Sequence, residues 1–452
     1  MRKSIIIIAA LLLLACGPVK AQSFSEGFFL DGYTMGYRYN PALSNEGDVL
    51  GLFQGNLVLR TNTGLSSFLY PQEDGQLVSA LHESISSATF MSNLNDHNYL
   101  NRNVDLNIFS YGFRRGSGYH NVELNLRANI SASAPKGIFQ ILKEGSTHTD
   151  NDLSGAFMGG QGYAELVYGY STKLSDWISI GGRAKLLLGL ESVNYKLTDF
   201  ELTMSEEEYK ATLVADLELC NKVFKLRADD DGYYKILRLD PTGKHGILPA
   251  GIGLAVDLGV VLTPFEGFTL SVSALDLGGI LWHYGNAGHS NGIVRFSGVT
   301  DLSIDDIKAK NLAGEFDGLK DDFLASLRLK ESSKMNRMQS VPFTVNVAAK
   351  YDMPFYKPLS VGLTGLYCHF GTMPYKELRG NVAWNYSRRL GFTANLGAGE
   401  YGLVYGAALT VRVSRFHLNA GLENGFGGTL PYSKRQLKPN SKCLTVGLTY
   451  DL

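Results

Sequence analysis

The sequence predicts an all-β protein, a closed antiparallel transmembrane β-barrel of about fourteen strands. Residues 444–452 alternate apolar and polar side chains up to the end of the chain. The same alternation recurs along most of the sequence, and an export signal precedes it. A strand that faces lipid on one side and a wet lumen on the other must alternate in this way.

Residues 1–21 are predicted to be a secretory signal peptide. A charged pair precedes an apolar run, residues 5–14, which is too short to cross a bilayer as a helix. Cleavage after Ala21 fits the small-residue rule, and the alternative is lipoprotein processing at Cys16. An exported barrel is expected in the outer membrane of a Gram-negative cell.

The composition agrees with a barrel and argues against other classes. The chain has 51 Gly, 24 Tyr and 23 Phe, as expected for tight turns and interfacial aromatic girdles. Its mean hydropathy is −0.04, the value expected when half of each strand faces water. A net charge of −1 offers nucleic acid no electrostatic partner. Cys220, Cys368 and Cys443 have neither a metal-site spacing nor a disulfide pattern, and no cofactor is expected.

The chain after the signal begins irregularly. Residues 22–48 are rich in glycine and aromatic residues and lack a clean period. A first strand is predicted over 49–60, so the barrel covers 49–452 together with its extramembrane inserts. Residues 77–94 carry apolar side chains at helical spacing and predict a short amphipathic helix.

The clearest strand is 120–131, whose apolar side chains share one face while Glu123 and Arg127 share the other. Such charges cannot lie unpaired in a dry core, so that face needs a wet interior or solvent. The partner segment, 104–113, slips its alternation near Ile108, which predicts a β-bulge. Further strands are predicted at 162–170, 177–190, 251–263, 267–275, 343–351, 359–370, 375–388, 390–398, 403–414, 416–423 and 443–452.

Two polar segments interrupt this series. Residues 191–250 contain acidic runs and are interpreted as long extramembrane hairpins. Residues 301–340 place Leu312, Phe316 and Phe323 at helical spacing. This pattern predicts one or two amphipathic helices on a rim or inside the lumen.

Several charged side chains fall on predicted inward faces: Arg127, Arg183, Lys185, Lys350, Arg412 and Glu423. They would either line a channel that selects charged solutes or pair across the lumen and hold the wall together. We favour pairing, because a narrow or filled barrel requires it. The outward faces lack charges, which are costly in lipid.

No motif indicates an enzyme. Residues 397–402 match a dinucleotide fingerprint as a string, but they lie between two strands with no helix after them. Residues 229–232 resemble the start of a calcium loop, yet Arg238 stands where a bidentate Glu is needed. We therefore expect no catalytic, cofactor or metal site.

One short motif carries a resemblance to a known superfamily. Asn40, Pro41 and Ala42, behind a signal peptide and before about fourteen strands, resemble the fatty-acid-transporter (FadL-like) superfamily of outer-membrane barrels. The resemblance implies that residues 22–48 form an N-terminal hatch inside the barrel.

A second motif is similar to a Bacteroidetes family of uncharacterised outer-membrane barrels. In residues 273–284, Asp276 and Gly278 precede an aromatic segment that contains Trp282. The resemblance implies that a strand ends at Asp276. Trp282 and Tyr284 are then expected to anchor the barrel at a membrane interface.

Two functional hypotheses follow. The hatch and the resemblance favour passage of a small hydrophobic molecule across the outer membrane. The large inserts favour the alternative, a non-transporting scaffold or carrier subunit of a secretion or surface-assembly system. The expected partners are outer-membrane lipid, a small hydrophobic ligand for the first hypothesis and envelope proteins for the second.

Overall fold

The computed structural model describes residues 25–72, 77–144, 155–204, 209–222, 224–239, 249–283, 285–296, 329–332, 337–370, 373–423 and 440–452. The predicted signal peptide, and residues 301–328 of the second insert, lie outside these ranges.

Nearly all regular structure in these ranges is β-strand. The strands are β1 (Val49–Thr61), β2 (Leu69–Pro71), β3 (Leu77–Ser79), β4 (His97–Arg115), β5 (Gly118–Pro135), β6 (Phe157–Ser175), β7 (Ile178–Met204), β8 (Tyr209–Asn221), β9 (Phe224–Ala228), β10 (Tyr234–Leu239), β11 (Gly251–Leu262), β12 (Phe268–Trp282), β13 (Asn286–Phe296), β14 (Lys330–Ser332), β15 (Arg337–Ser340), β16 (Phe343–Asp352), β17 (Leu359–Phe370), β18 (Met373–Ser387), β19 (Leu390–Gly399), β20 (Gly402–Val413), β21 (Phe416–Glu423) and β22 (Asn440–Asp451). Helix α1 spans Ser87–Ser92 and helix α2 spans Lys136–Glu144. No described helix is long and apolar enough to cross a membrane.

Within the described residues, 14 strands close into one antiparallel barrel. Their order around the wall is β1, β4, β5, β6, β7, β11, β12 and then β16 to β22, and β22 pairs again with β1. Closure pairs each strand on both sides, so no sheet edge is exposed to lipid. The predicted fold class is therefore confirmed.

The two faces of the wall have opposite polarity. On β5, Val122 and Leu124 are 42% and 37% exposed, whereas Glu123 and Asn125 are 1% and 0% exposed. The same holds elsewhere: large exposed side chains such as Leu254, Leu363 and Leu396 point outward from the wall. An apolar exterior around a polar interior is the pattern of a barrel embedded in lipid.

The two ends of the barrel differ in their connections. Two-residue turns at 116–117, 176–177, 388–389 and 414–415 lie at the end where β1 begins and β22 finishes. Longer connections lie at the opposite end. There β7 continues past the wall to Met204 and pairs with β8, which pairs with β13 in an accessory sheet. Barrels of this type carry short turns on the periplasmic side and long loops outside.

Two local predictions have different outcomes. The bulge near Ile108 is confirmed, because the β4–β5 register shifts between Asn107 and Phe109.

The helix predicted over 77–94 is wrong for most of its length. The start of that segment is strand β3, and the helix is limited to α1, whose N-terminus is capped by Ser86 accepting from the Thr89 N–H at 3.1 Å. Phe90 and Leu94 pack into a small cluster with Ala80 instead of a long helical stripe.

Depth in the lipid belt can be tested with one substitution at two positions. Val382 lies in the middle of β18 and is 51% exposed, while Val413 ends β20 beside a turn and is 67% exposed. We expect Val382→Arg to lower the free energy of unfolding by about 2–4 kcal/mol and Val413→Arg by about 0–1 kcal/mol. Reversible unfolding in phospholipid vesicles measures both, and equal losses would contradict the assignment of a lipid belt.

Candidate functional site

The described N-terminal residues, 25–48, lie inside the barrel and contact its wall on several sides. They form two short 3₁₀ turns, Ser25–Phe29 and Gly36–Arg38. Asp31 accepts from Lys350 of β16 at 2.9 Å, and the Thr34 hydroxyl lies 2.6 Å from that of Thr449 on β22. We call residues 25–48 the hatch.

Asn40 fixes the centre of the hatch. Its side-chain nitrogen lies 3.0 Å from the carbonyl oxygen of Val260 and 2.7 Å from the hydroxyl of Ser271, on neighbouring wall strands. Its side-chain oxygen accepts from the Ala42 N–H at 2.8 Å. Asn40 is fully buried, and an aspartate there could not donate, so the amide is required for both contacts.

Pro41 rests on glycines of the wall. A Cβ at Gly181 would come within 2.1 Å of the Pro41 carbonyl oxygen, and one at Gly259 within 2.0 Å of the Asn40 side-chain oxygen. Side chains at these two positions would displace the hatch. Asn40, Pro41 and Ala42 therefore pack into a recess of the wall at Gly181 of β7 and Gly259 of β11, which we call the seat.

Most buried charges of one side of the lumen form a single network, which we call the Arg38 cluster. Its members are Arg38, Asp105, Glu123, Arg127, Glu165, Arg183, Lys185, Asp257 and Asp276. Arg38 of the hatch lies 2.8 Å from Asp105 and 3.2 Å from Glu123. If the hatch left the lumen, Asp105 and Glu123 would lose their buried partner Arg38, which is costly. The cluster therefore attaches the hatch to the wall.

Asp276 connects three strands in this cluster. Its carboxylate contacts Lys185 and lies 2.7 Å from Arg127, and its N–H donates to Asp257 at 2.7 Å. Its φ of 64° and the register shift of β12 against β11 show a bulge at this residue. The bulge turns Asp276 inward directly after the inward-facing Leu275.

The predictions for the 273–284 motif need correction. β12 does not end at Asp276 but continues to Trp282. The bulge accommodates the positive φ of Asp276 without ending the strand. Trp282 is fully buried against Tyr163, Leu187 and Ile280, so it is not an interface anchor. Gly278 is needed because a Cβ there would meet the Leu254 carbonyl oxygen at 2.1 Å. Tyr284 lies outside the described residues.

A second network occupies the other side of the lumen, and we call it the Arg379 cluster. The Arg379 guanidinium donates to Glu26 of the hatch at 2.9 Å, to Glu377 at 2.6 Å and to both oxygens of Glu423. All four side chains are 3% exposed or less. This cluster anchors the first turn of the hatch.

The six charges predicted for the lumen all lie in ion pairs. Arg127, Arg183 and Lys185 belong to the Arg38 cluster, and Glu423 belongs to the Arg379 cluster. Lys350 and Arg412 lie near the short-turn end, where Lys350 pairs with Asp31 and Arg412 with Asp451 at 2.7 Å. Most of these pairs join nearby strands, Lys350 pairs with the hatch, and Arg127 reaches Asp276 across the lumen.

The sequence pattern did not identify several other residues of the site. Arg38 and Glu26 lie in a segment without periodicity, so no pattern marked them as buried charges. Asp257 and Arg60 lie on the polar faces of β11 and β1, and the alternation of those strands could have identified them. At the short-turn end, Glu46 is exposed and pairs with Arg388 at 2.7 Å, and this hydrogen bond lowers the pKa of Glu46.

A cavity of about 100 Å³ lies between the hatch and the wall. The hatch contributes Tyr33, Arg38 and Tyr39 to its lining. The wall contributes apolar side chains, which include Val58, Leu275 and Leu366, and polar ones, which include Arg60, Asn103 and Asp105. The described residues contain no group of His, Cys, Asp and Glu side chains placed to hold a metal ion.

The fold and the site define a transmembrane β-barrel whose lumen is filled by an N-terminal hatch. The chain belongs to a family of unknown function, DUF5723, whose model matches residues 45–422. No protein of curated function matches the sequence.

Several solved barrels are similar in structure at low sequence identity. A FadL homologue from Pseudomonas aeruginosa is 10% identical, with 96% of this chain and 99% of that chain covered and a TM-score of 0.47. The Ralstonia pickettii toluene transporter TbuX is 8% identical, with coverages of 93% and 94% and a TM-score of 0.44. The translocator domain of the Neisseria meningitidis autotransporter NalP is 9% identical, with coverages of 94% and 95% and a TM-score of 0.35. At these values the likeness assigns no ligand and no activity to this chain.

The ionic attachment of the hatch can be tested at Arg38. We expect Arg38→Gln to weaken docking of the hatch by about 3 kcal/mol, because Asp105 and Glu123 lose a buried partner. Native-state hydrogen exchange of residues 36–45 measures the loss. Arg388→Gln, which removes a pair that is exposed, is the control and should leave this exchange unchanged. Equal protection in the two variants would contradict the role of Arg38.

The seat of Pro41 can be tested with neighbouring glycines of β7. Gly181→Ala places a methyl group against the Pro41 backbone, whereas a Cβ at Gly182 meets its nearest atom at 3.5 Å. We expect Gly181→Ala to expose residues 40–42 to hydrogen exchange and Gly182→Ala to have little effect. Equal exchange in the two variants would show that the hatch does not rest on this part of the wall.

Proposed function

We propose that this barrel passes a small, largely hydrophobic molecule across the outer membrane. The observation that carries the proposal is the cavity between hatch and wall, which lies beside an interruption in the wall. The cavity combines apolar side chains, which suit a hydrophobic body, with a few polar groups that could orient it.

The wall is incompletely paired next to this cavity. β12 pairs with β16 as far as Leu275 opposite Thr344, and with β15 from Gly279 opposite Ser340. Between these points one backbone bond is described, from the Val341 N–H to the Gly278 carbonyl at 3.2 Å. Pro342 has no N–H to donate, and Asp276 donates its own to Asp257.

The interruption supports a route between cavity and lipid. Leu275, Asp276, Pro342 and Thr344 flank the gap in the ladder and also line the cavity. Arg127 pairs with Asp276 across the lumen. A movement of the Arg38 cluster would therefore also displace Asp276, which lies beside the gap. A hydrophobic molecule leaving through the wall would avoid crossing the ion pairs of the lumen.

The proposed location is the outer membrane, with the short turns in the periplasm and the accessory sheet outside the cell. The apolar exterior and the difference between the two ends support this orientation.

A second candidate function is a scaffold or carrier subunit of a surface-assembly system. It is favoured by the accessory sheet, in which the outer half of β7, β8, β13 and β14 extends beyond the barrel. Paired strands held outside the membrane could contact an envelope partner.

The transport proposal is tested by filling the cavity. Leu275 is 5% exposed and lines the cavity, whereas Leu277 on the same strand is 38% exposed and faces lipid. We expect Leu275→Trp to reduce uptake of apolar solutes at least about tenfold, because an indole replaces the space that the solute needs. Leu277→Trp should transport like the unmodified protein.

Uptake is measured in liposomes that contain the purified chain and in a deletion strain complemented with each variant. Heat-modified mobility on gels establishes that both variants fold as barrels. If no apolar solute enters faster through the unmodified protein than through empty liposomes, transport is wrong and the scaffold function is favoured. Stoichiometric recovery of an envelope protein would then support the scaffold directly.

A further inference from the structure

The Arg379 cluster contains more carboxylates than its central guanidinium can neutralise. Arg379 contacts Glu26, Glu377 and Glu423, and each of these carboxylate side chains is 3% exposed or less. With all three ionised, the group would hold two uncompensated negative charges away from water. Burying even one such charge costs several kcal/mol.

Glu26 and Glu423 converge on one nitrogen of Arg379, Nη1, which lies 2.9 Å from Glu26 Oε1 and also contacts Glu423 Oε1. Two ionised carboxylates held at one nitrogen repel each other, and a proton on one of them removes this repulsion. Glu26 belongs to the hatch and Glu423 to wall strand β21. A proton shared by the two groups would therefore lie between the hatch and the wall.

One proton brings the surroundings close to electrical neutrality. Arg60 of β1 lies 4.0 Å from the ring centre of Tyr375, and the Tyr375 hydroxyl donates to Glu377 at 2.8 Å. Arg60 also interacts electrostatically with Glu377. Two guanidinium groups then face two net negative charges: Glu377, and the pair of Glu26 with Glu423.

Two buried polar atoms beside the pair have no hydrogen-bond partner among the described residues. They are the Tyr39 hydroxyl and the side-chain oxygen of Asn395, whose nitrogen donates to Glu26 at 2.8 Å. Tyr39 is 3% exposed and interacts electrostatically with Glu26. Tyr39 and Arg60 also line the cavity, so the cavity lies next to the Arg379 cluster.

We propose that Glu26 and Glu423 share one proton and form a proton-dependent latch that holds the first turn of the hatch in the lumen. When the turn withdraws, each carboxylate meets water and the proton is released. The closed state therefore binds more protons than the open state. Linkage then requires that closure is favoured at low pH and weakens as the pH rises.

The other groups that face the pair do not supply an alternative proton at neutral pH. Arg60 and Arg379 stay charged. The remaining titratable neighbours are Tyr39, Tyr375, Tyr401, Glu377, Cys368 and Cys443. Among these, only Glu377 is a carboxylic acid, and its carboxylate already accepts from both Arg379 and Tyr375.

Two measurements on the purified full-length protein in micelles test the latch. Infrared difference spectroscopy should show the C=O stretch of a buried carboxylic acid that disappears on alkaline titration. Hydrogen exchange of residues 25–31, corrected for the intrinsic pH dependence, should lose about tenfold in protection between about pH 6 and about pH 9. Both signals should be absent in Glu423→Gln, because its amide donates to Glu26 at every pH.

Two further variants complete the test. Glu26→Gln lies outside the barrel strands and should also remove both signals, which covers the case that Glu423→Gln fails to fold. Glu46→Gln, another hatch carboxylate that pairs with Arg388 on the exposed rim, should keep both. Absence of the carboxylic acid band in the unmodified protein would overturn the shared proton. The same pH dependence in Glu423→Gln and Glu26→Gln would overturn the latch.

Discussion

Charges buried between the hatch and the wall must be paired, because a buried charge without a partner costs several kcal/mol. The Arg38 and Arg379 clusters meet this constraint by using residues of both hatch and wall. Neither the wall nor the hatch carries all the partners it needs. The hatch is therefore an electrostatic component of the barrel as well as a plug.

The hatch is also held by contacts that do not depend on charge. Asn40 donates to two wall strands, and Pro41 fits against Gly181 and Gly259. The neutral seat and the Arg38 cluster hold neighbouring residues in the second half of the hatch, while the Arg379 cluster holds its first turn. A change of protonation in the Arg379 cluster can therefore release the first turn while Asn40 and Arg38 keep the rest of the hatch in place, which would allow partial opening without loss of the hatch.

The bulge at Asp276 joins the wall to this system. It inserts one residue into β12, turns a carboxylate toward Arg127 and Lys185, and diverts an N–H from the ladder to Asp257. Opposite the bulge, Pro342 has no N–H, so the pairing of β12 is interrupted beside the cavity. A movement of the hatch that disturbs the Arg38 cluster would thus act on this interrupted part of the wall.

The periodicity of the sequence was enough to predict the alternation of most wall strands, and with it the lipid face, the lumen face and the barrel class. It also located the bulge near Ile108, because a bulge shifts the alternation within one strand. Which charges meet could not be predicted, since Arg38 and Asp105, or Glu26 and Arg379, are far apart in the chain and meet only when the hatch lies inside the closed wall. The tertiary structure also decided that Asp276 lies within a strand and that Trp282 is buried. The physical reason is that local periodicity fixes which way a side chain points, whereas closure of the whole wall around the hatch fixes what that side chain meets.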